Sequence, residues 1–391
     1  MCTPIGAAAT VRTVALVLAL VLVFAPGRPA LGQSRPDGVI PFTDGGWSLR
    51  GDSVRAEQFD GRSTLAIRNG FAFRRDVQLE DGTIDVDAMT TRKRSFVYVM
   101  FRMQSDSAYE DFYMRPHKSG APDALQYAPV YQTASAWQLY HGANGTASVD
   151  IDPGVWTHLR IVVRGRQAAI FLGDTLKPVM IVPRLGHEPR AGYIALRGFL
   201  PAGVAVTGPI VRFANLRVRP NHVPFTFVPQ GEPAPVLGVV RSWMVGDAFV
   251  PPDSALWSVP ANATARMRRV DALSSGLVEL HRVVPLGAGM RSVATVARLA
   301  VMADTAGTYR MDLGFSDRMT AIVNGRPVFH RDDAYDYANR RDGLIGLSQA
   351  TLFLPLRAGT NTLEFIVSDV FGGWGIMGRF PSMNGLRITE P

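Results

Sequence analysis

Short runs of β-branched and aromatic residues recur roughly every 8–15 positions, separated by Gly, Pro, Asn or Asp. Phe96–Met103 (FVYVMFRM), His158–Val163 (HLRIVV), Ala168–Leu172 (AAIFL) and Tyr193–Leu196 are such runs in the first half of the chain. In the second half Thr308–Leu313 (TYRMDL) alternates strictly, and Leu352–Leu356 and Leu363–Val367 follow. Asn324-Gly325, directly after Ala321–Val323, is a strong hairpin turn, because both residue types tolerate the left-handed backbone that tight hairpins need. Ser292–Met302 is helical by composition, but β-branched Val293, Val296 and Val301 and its strand-like neighbours make it an expected strand. Helical signals are otherwise scarce. The expected fold class is all-β, with two β-sandwich or jelly-roll domains.

Two segments interrupt the pattern. Val14 to Ala25 (VALVLALVLVFA) is an unbroken apolar run preceded by Arg12 and followed by Pro26, Gly27, Arg28 and Pro29, with Ala30-Leu31-Gly32 supplying small residues. The run is too short to span ~30 Å of hydrocarbon as a helix. Residues 1–32 are therefore expected to be a signal peptide, and the protein to be secreted or periplasmic with no membrane span after cleavage. Pro220 to Pro235 (PNHVPFTFVPQGEPAP) carries five prolines and reads as a linker or strap. The expected domains are 33–219 and 236–391, joined by 220–235.

Composition narrows the function classes. Cys2, the only cysteine among 391 residues, lies in the expected signal segment, so no disulfide framework is available. The net charge of +8 falls to +6 without Arg12 and Arg28, and the longest basic cluster is Arg92-Lys93-Arg94. Basic residues are 38 Arg against 3 Lys, a skew that resembles codon bias more than a binding surface. Nucleic acid is not an expected partner.

Few chemical motifs survive inspection. The seven histidines form no metal-ligating pair, so no metal or cofactor is expected. Gly373-Trp-Gly375-Ile-Met-Gly378 matches a dinucleotide fingerprint in form, but too little chain follows it for a βαβ unit. Three groupings remain. In a strand over 109–117, Asp111, Tyr113, Arg115 and His117 share one face. The stretch that follows adds Gln126, Tyr127, Tyr131, Trp137, Gln138, Tyr140 and His141. Aromatic faces interleaved with Arg, His and Gln suit a sugar, whose ring stacks while its hydroxyls take hydrogen bonds. Asp85-Val-Asp87 places two carboxylates on one strand face, at the spacing of a paired-acid glycosidase or of an ordinary solvent face. The second half offers loops at Ser316-Asp317, 332–342 and Phe371–Gly375; the acidic loop has carboxylates for a structural calcium but not the spacing of an EF-hand, and none is predicted.

Val155-Trp156-Thr-His158, Ala168–Leu172 with Gly173-Asp174, Gly192–Leu196 and Phe213-Ala-Asn215-Leu-Arg-Val resemble the closing strands of laminin-G/concanavalin A-like domains, among them the 3-keto-disaccharide hydrolase-type domains of secreted bacterial proteins. On this pattern Trp156 is a core residue. Gly314–Asp317, Val323–Phe329, Leu354–Asn361 and Phe371–Gly375 resemble a galactose-binding-domain-like jelly roll. The pairing implies a concanavalin A-like sandwich with a concave sheet face, then a galactose-binding-like one with loop sites, both aimed at carbohydrate. The Glu-x-Asp-x-x-Glu strand of classical glucanases is absent.

The leading expectation is an exported carbohydrate-binding protein with a saccharide held by Arg115, His117, Gln126, Tyr127, Trp137 and Tyr140. The first alternative is a glycoside hydrolase or keto-sugar-processing hydrolase, with Asp111 or Asp123 and His117 as weak catalytic candidates. The second is a non-catalytic structural or adhesion protein.

Overall fold

The computed structural model describes residues 38–228, 236–252, 256–287 and 292–389; the expected signal segment and the end of the proline-rich strap lie outside them. In the first half β1 (Ser48–Phe59) pairs antiparallel along its length with the Arg62–Phe73 part of β2 (Arg62–Leu79). β2 then serves two neighbours in turn. Its Thr64–Ile67 stretch pairs with the strand Val211–Pro220, and its Gly70–Leu79 stretch pairs with the strand Gly192–Phe199. One long strand therefore passes from one layer to the other, and a single thirteen-stranded antiparallel sheet curls around its own core.

β3 (Gly82–Thr90), β4 (Phe96–Ser105), β5 (Ala108–Met114) and β6 (Leu125–Tyr131) are covered on both faces along most of their length, and alternate residues point into the main core. Val97, Val99 and Phe101 of β4, Phe112 and Met114 of β5, and Leu125 and Tyr127 of β6 all enter the main core. Phe112 stacks between Phe101 and Tyr127, with centroids 5.8 and 5.3 Å away. The intervening residues of these strands, Phe96, Tyr98, Tyr113 and Gln126, consequently face the other side of the sheet.

In the second half a seven-stranded sheet built around Val293–Ala303 faces a four-stranded sheet built around Gly307–Ser316. Trp243, Phe315, Phe365 and Trp374 fill the core between them. The Asn324-Gly325 hairpin forms with φ of 49° and 77° at its two corner residues, the backbone that a two-residue turn demands. Ser292–Met302 is a strand, Val293–Ala303, as its β-branched residues imply. Within the strap, Phe225 and Phe227 pack over Phe171 and Val162, closing the outer face of the first sheet.

Two local expectations change. The strand over 109–117 stops at Met114, because Pro116 cannot donate to a ladder; Pro116–Lys118 is a 3-10 turn that carries His117 off the strand. Trp156 is not in the core: it is half-buried on the outer face, where Arg62 covers its ring at 4.8 Å and its indole N–H donates to Asp60 at 3.2 Å.

Asp85 and Asp87 do share a face, and cations saturate both. His158 reaches Asp87 through Nδ1 at 2.7 Å and Asp85 through Nε2 at 3.1 Å. Arg160 also binds Asp85 at 2.6 Å, Arg219 binds it as well, and Asn215 donates to Asp87 at 2.7 Å. Burial raises the Asp85 carboxyl, but the hydrogen bonds from His158 and Arg160 and the nearby guanidinium charges outweigh it and hold the group low. This is a structural ion network, not a proton-shuttling pair with one acid in an apolar niche.

The same hydrogen bonds to Asp85 and Asp87 push His158 up to about 9. Its stabilising effect is complete below the unfolded value of about 6.5 and lost as pH rises through the folded value. Thermal denaturation between pH 6 and 10 should show wild type losing on the order of 2 kcal/mol relative to His158→Gln. Parallel profiles for the two proteins would contradict the network.

Candidate functional site

Strand register builds the site on the outer face of the first sheet. Arg197 lies opposite Tyr98, Tyr98 opposite Tyr113, and Tyr113 opposite Gln126, a row that crosses four strands. The Tyr98 and Tyr113 rings are 4.8 Å apart, and the Arg197 guanidinium sits over Tyr98 at 4.8 Å. Phe96 and Phe199 make the next row, 5.8 Å apart.

Arg115 closes this floor at one end. It is buried to 5% exposure, donating to Gln126 Oε1 at 2.5 Å, to the Tyr113 hydroxyl at 3.0 Å and to the Asp123 carbonyl at 2.6 Å. The Gln126 amide nitrogen donates in turn to the carbonyls of Trp137 (2.7 Å) and Tyr140 (2.8 Å). One side chain thus fixes Arg115 and the segment that carries Trp137. His117 rests edge-on against Phe96 at 5.4 Å, and its Nδ1 accepts the Ser95 N–H at 3.4 Å. Burial, with the positive charges of Lys118, Arg115 and Arg94, lowers His117 to about 4, so its ring is neutral at pH 7.

The opposite wall comes from loops of the second half. Tyr335 meets the Trp137 edge at 5.6 Å and Phe371 at 5.5 Å. Gln138 anchors these loops: its Oε1 accepts Gly373 N–H at 2.5 Å and its Nε2 donates to Asp317 at 3.2 Å. Asp317 also accepts the N–H groups of Val370 and Phe371, each at 2.7 Å. Burial, with Asp369 nearby, raises Asp317 to about 6. A Cβ at Gly372 (φ +98°) would stand 2.0 Å from Gln138 Oε1, so this corner requires glycine. Trp374 is the buried plug of the turn, with its ring against His281 at 5.3 Å.

Floor and loops enclose a cleft of about 750 Å³. Arg115, His117, Trp137 and Asp123 all line it. The other residues expected at the site lie elsewhere. Gln126 is beneath Arg115, as a support. Tyr127 is in the core, its hydroxyl donating to Glu110 at 2.6 Å and accepting Gly186 N–H at 2.6 Å. Tyr140 turns towards the second half and donates to Glu279 at 2.6 Å. Asp111 is 1% exposed opposite Met100 and Ala128, and burial pushes its carboxyl well above the usual range. Asp123 is bound by Lys118 at 2.6 Å.

Sequence reasoning passed over Phe96, Tyr98, Arg197 and Phe199, although alternation against Val97, Val99 and Leu196 marks all four as outward-facing. Arg94, the remaining lining cation of the floor side, donates to the Tyr335 hydroxyl at 3.3 Å and lies over Tyr337 at 3.7 Å. Among the described residues no group of three His, Cys, Asp or Glu side chains forms a metal cluster, and no helix is long and apolar enough to cross a membrane.

Gln126→Leu removes one of the three acceptors of Arg115 and strands two carbonyls. A loss of about 2–4 kcal/mol in urea denaturation is expected; a loss below about 0.5 kcal/mol would contradict the supporting role.

Several solved structures are similar to part of the chain. Carbohydrate binding module CBM66 from Bacillus subtilis has 16% identity and a TM-score of 0.34, covering 44% of this chain and 94% of its own. The β-glucanase of Bacillus licheniformis has 11% identity and a TM-score of 0.33, with 47% and 99% covered. A Bacillus subtilis protein with a galectin-like fold has 9% identity and a TM-score of 0.31, with 44% and 90% covered. No curated protein matches the chain by sequence. Residues 40–219, which hold almost all of the thirteen-stranded sheet and its core, match the family model of the 3-keto-alpha-glucoside-1,2-lyase-like domain.

Proposed function

We propose that this is an exported carbohydrate-binding protein that holds a saccharide in the cleft between the first sheet and the loops of the second half. The observation that carries the reading is the convergence of Arg115, His117 and Trp137 on one open cleft floored by Tyr98 and Phe199. Its volume of about 750 Å³ falls within the usual span of ligand sites. Tyr337 and Phe371 at its mouth are 64% and 57% exposed, and large aromatic faces left in water at a cleft are suited to stacking on a sugar ring. Arg115 and neutral His117 supply directional hydrogen bonds beside those faces. Export is supported by the apolar run of 14–25 with its flanking Arg12 and small-residue exit.

A second reading follows from the match to a lyase-like domain: turnover of a keto-sugar in the same cleft. Removing a proton next to a ketone needs a base whose lone pair faces the substrate. The His117 Nδ1 lone pair is directed at Ser95 N–H, so the neutral ring has its N–H at Nε2. Asp123 is engaged by Lys118 and Arg115, and Asp111 is buried away from the cleft. The geometry therefore favours binding over acid–base work.

Glycan-array screening followed by calorimetry tests the choice. Trp137→Ala and Arg115→Ala are each expected to weaken the bound saccharide at least tenfold, with no sugar released or oxidised by wild type. Unchanged affinity in both variants would refute the cleft as the site. Turnover that His117→Ala abolishes would establish the enzymatic reading instead.

A further inference from the structure

The charge on the sheet side of the cleft is unbalanced, and this bears on which saccharide it takes. Arg94, Arg115, Lys118 and Arg197 face a single carboxylate there, Asp123, which Lys118 and Arg115 already share. Neither Arg94 nor Arg197 has a carboxylate within salt-bridge distance among the described residues. Arg197 lies over Phe71 (4.6 Å), Tyr98 (4.8 Å) and Phe199 (5.1 Å), and Arg94 over Tyr337 with the Tyr335 hydroxyl beside it.

The same face contains an internal control. At its far end Arg50 and Arg75 also sit on aromatic rings, those of Phe73 and Tyr193, yet both are paired there with Asp106. Arg115, inside the cleft, likewise lies over Tyr113 and pairs with Asp123, so Arg94 and Arg197 are the cleft's ring-supported arginines that lack a carboxylate. Asp111, whose charge would act on Arg197, is 1% exposed beneath the face and makes no ion pair with it, and burial pushes its carboxyl well above the usual carboxylate range. The loop wall has the opposite character. Asp336, Asp342 and Asp369 line it with Arg340 as its one lining arginine; Arg341 lies 3.7 Å from Asp336 and His281 Nε2 3.1 Å from Asp369, and the surplus of carboxylates over lining cations turns an anionic group towards the sheet.

We infer that the saccharide of this cleft is anionic, with a carboxylate or sulfate group received by the guanidinium groups of Arg197 and Arg94. This rests on the carbohydrate-binding reading and adds the ligand class to it. A planar guanidinium held flat on rings keeps its N–H edge free, and that edge makes paired hydrogen bonds to the oxygens of a carboxylate or sulfate.

Calorimetry on the intact protein tests this with four probes: oligogalacturonate, its methyl ester as an uncharged counterpart, a sulfated galactan oligosaccharide, and polyglutamate as charge without a sugar. Binding of the uronate or the sulfated sugar at least tenfold tighter than the ester is expected, weakening as salt rises from 50 to 300 mM. Which of the two binds identifies the anionic group. Arg197→Met and Arg94→Met, which keep the side-chain packing, should bring the acid-to-ester ratio close to one. Circular dichroism and melting curves check that both variants fold, and Arg197→Lys should retain part of the preference. Equal affinity for acid and ester, an equal loss for both in Arg197→Met, or polyglutamate binding as tightly as the sugar would overturn the anionic assignment while leaving a saccharide site in place. Binding of neutral glycans alone would do the same. Failure to bind any glycan, charged or neutral, would overturn the carbohydrate reading itself.

Discussion

A single buried amide, that of Gln126, ties the cleft together. Its oxygen accepts Arg115 and Tyr113 while its nitrogen donates to the Trp137 and Tyr140 carbonyls. Arg115 is nearly excluded from water, and a buried guanidinium is stable only where its donors meet acceptors. Through Gln126 the outer face of the sheet acquires a fixed cation, and the chain beyond β6 acquires a fixed path. Gln138 repeats the device further along that path, this time to the second half, where it receives Gly373 and reaches Asp317. Satisfied amides of this kind set geometry more than they add net stability, because each leaves several polar groups stranded if it is lost.

The cleft follows from this constraint and from β alternation. Residues that point into the core on β4 and β5 oblige Phe96, Tyr98, Tyr113 and Arg115 to form an opposite, aromatic and cationic surface. The second half contributes no sheet face to the site; it supplies the rings of Tyr335, Tyr337 and Phe371 and the carboxylates of Asp336, Asp342 and Asp369, on segments held by Asp317 and Gln138. A rigid floor with loop walls is a common division of labour in binding proteins, since loops can vary while the sheet holds position.

Much of the fold was legible in the chain, because alternation and turn residues are local signals. The runs at Phe96–Met103 and Thr308–Leu313 and the Asn324-Gly325 turn reappear as strands and a hairpin. The site was legible only in part. Arg115, His117 and Trp137 were marked by residue type and do converge, yet Tyr127 has the same composition and lies in the core. What separates them is parity: Tyr127 falls on the inward set with Leu125, and Gln126 on the outward one. Tyr140 and Asp111 depended on contacts that sequence does not display, the first on Glu279 across the junction, the second on how deeply the outer face is covered. Asp85 and Asp87 were placed correctly on one face, but their meaning came from His158, Arg160 and Arg219, on two other strands.

A crystal structure of the protein with a bound oligosaccharide is the most direct measurement. The predicted result is a sugar ring between Trp137 and the Tyr98–Phe199 floor, within hydrogen-bond distance of Arg115. A sugar seated instead on the Asp85–His158 face or on the sheets of the second half, with the cleft containing only water, would contradict it.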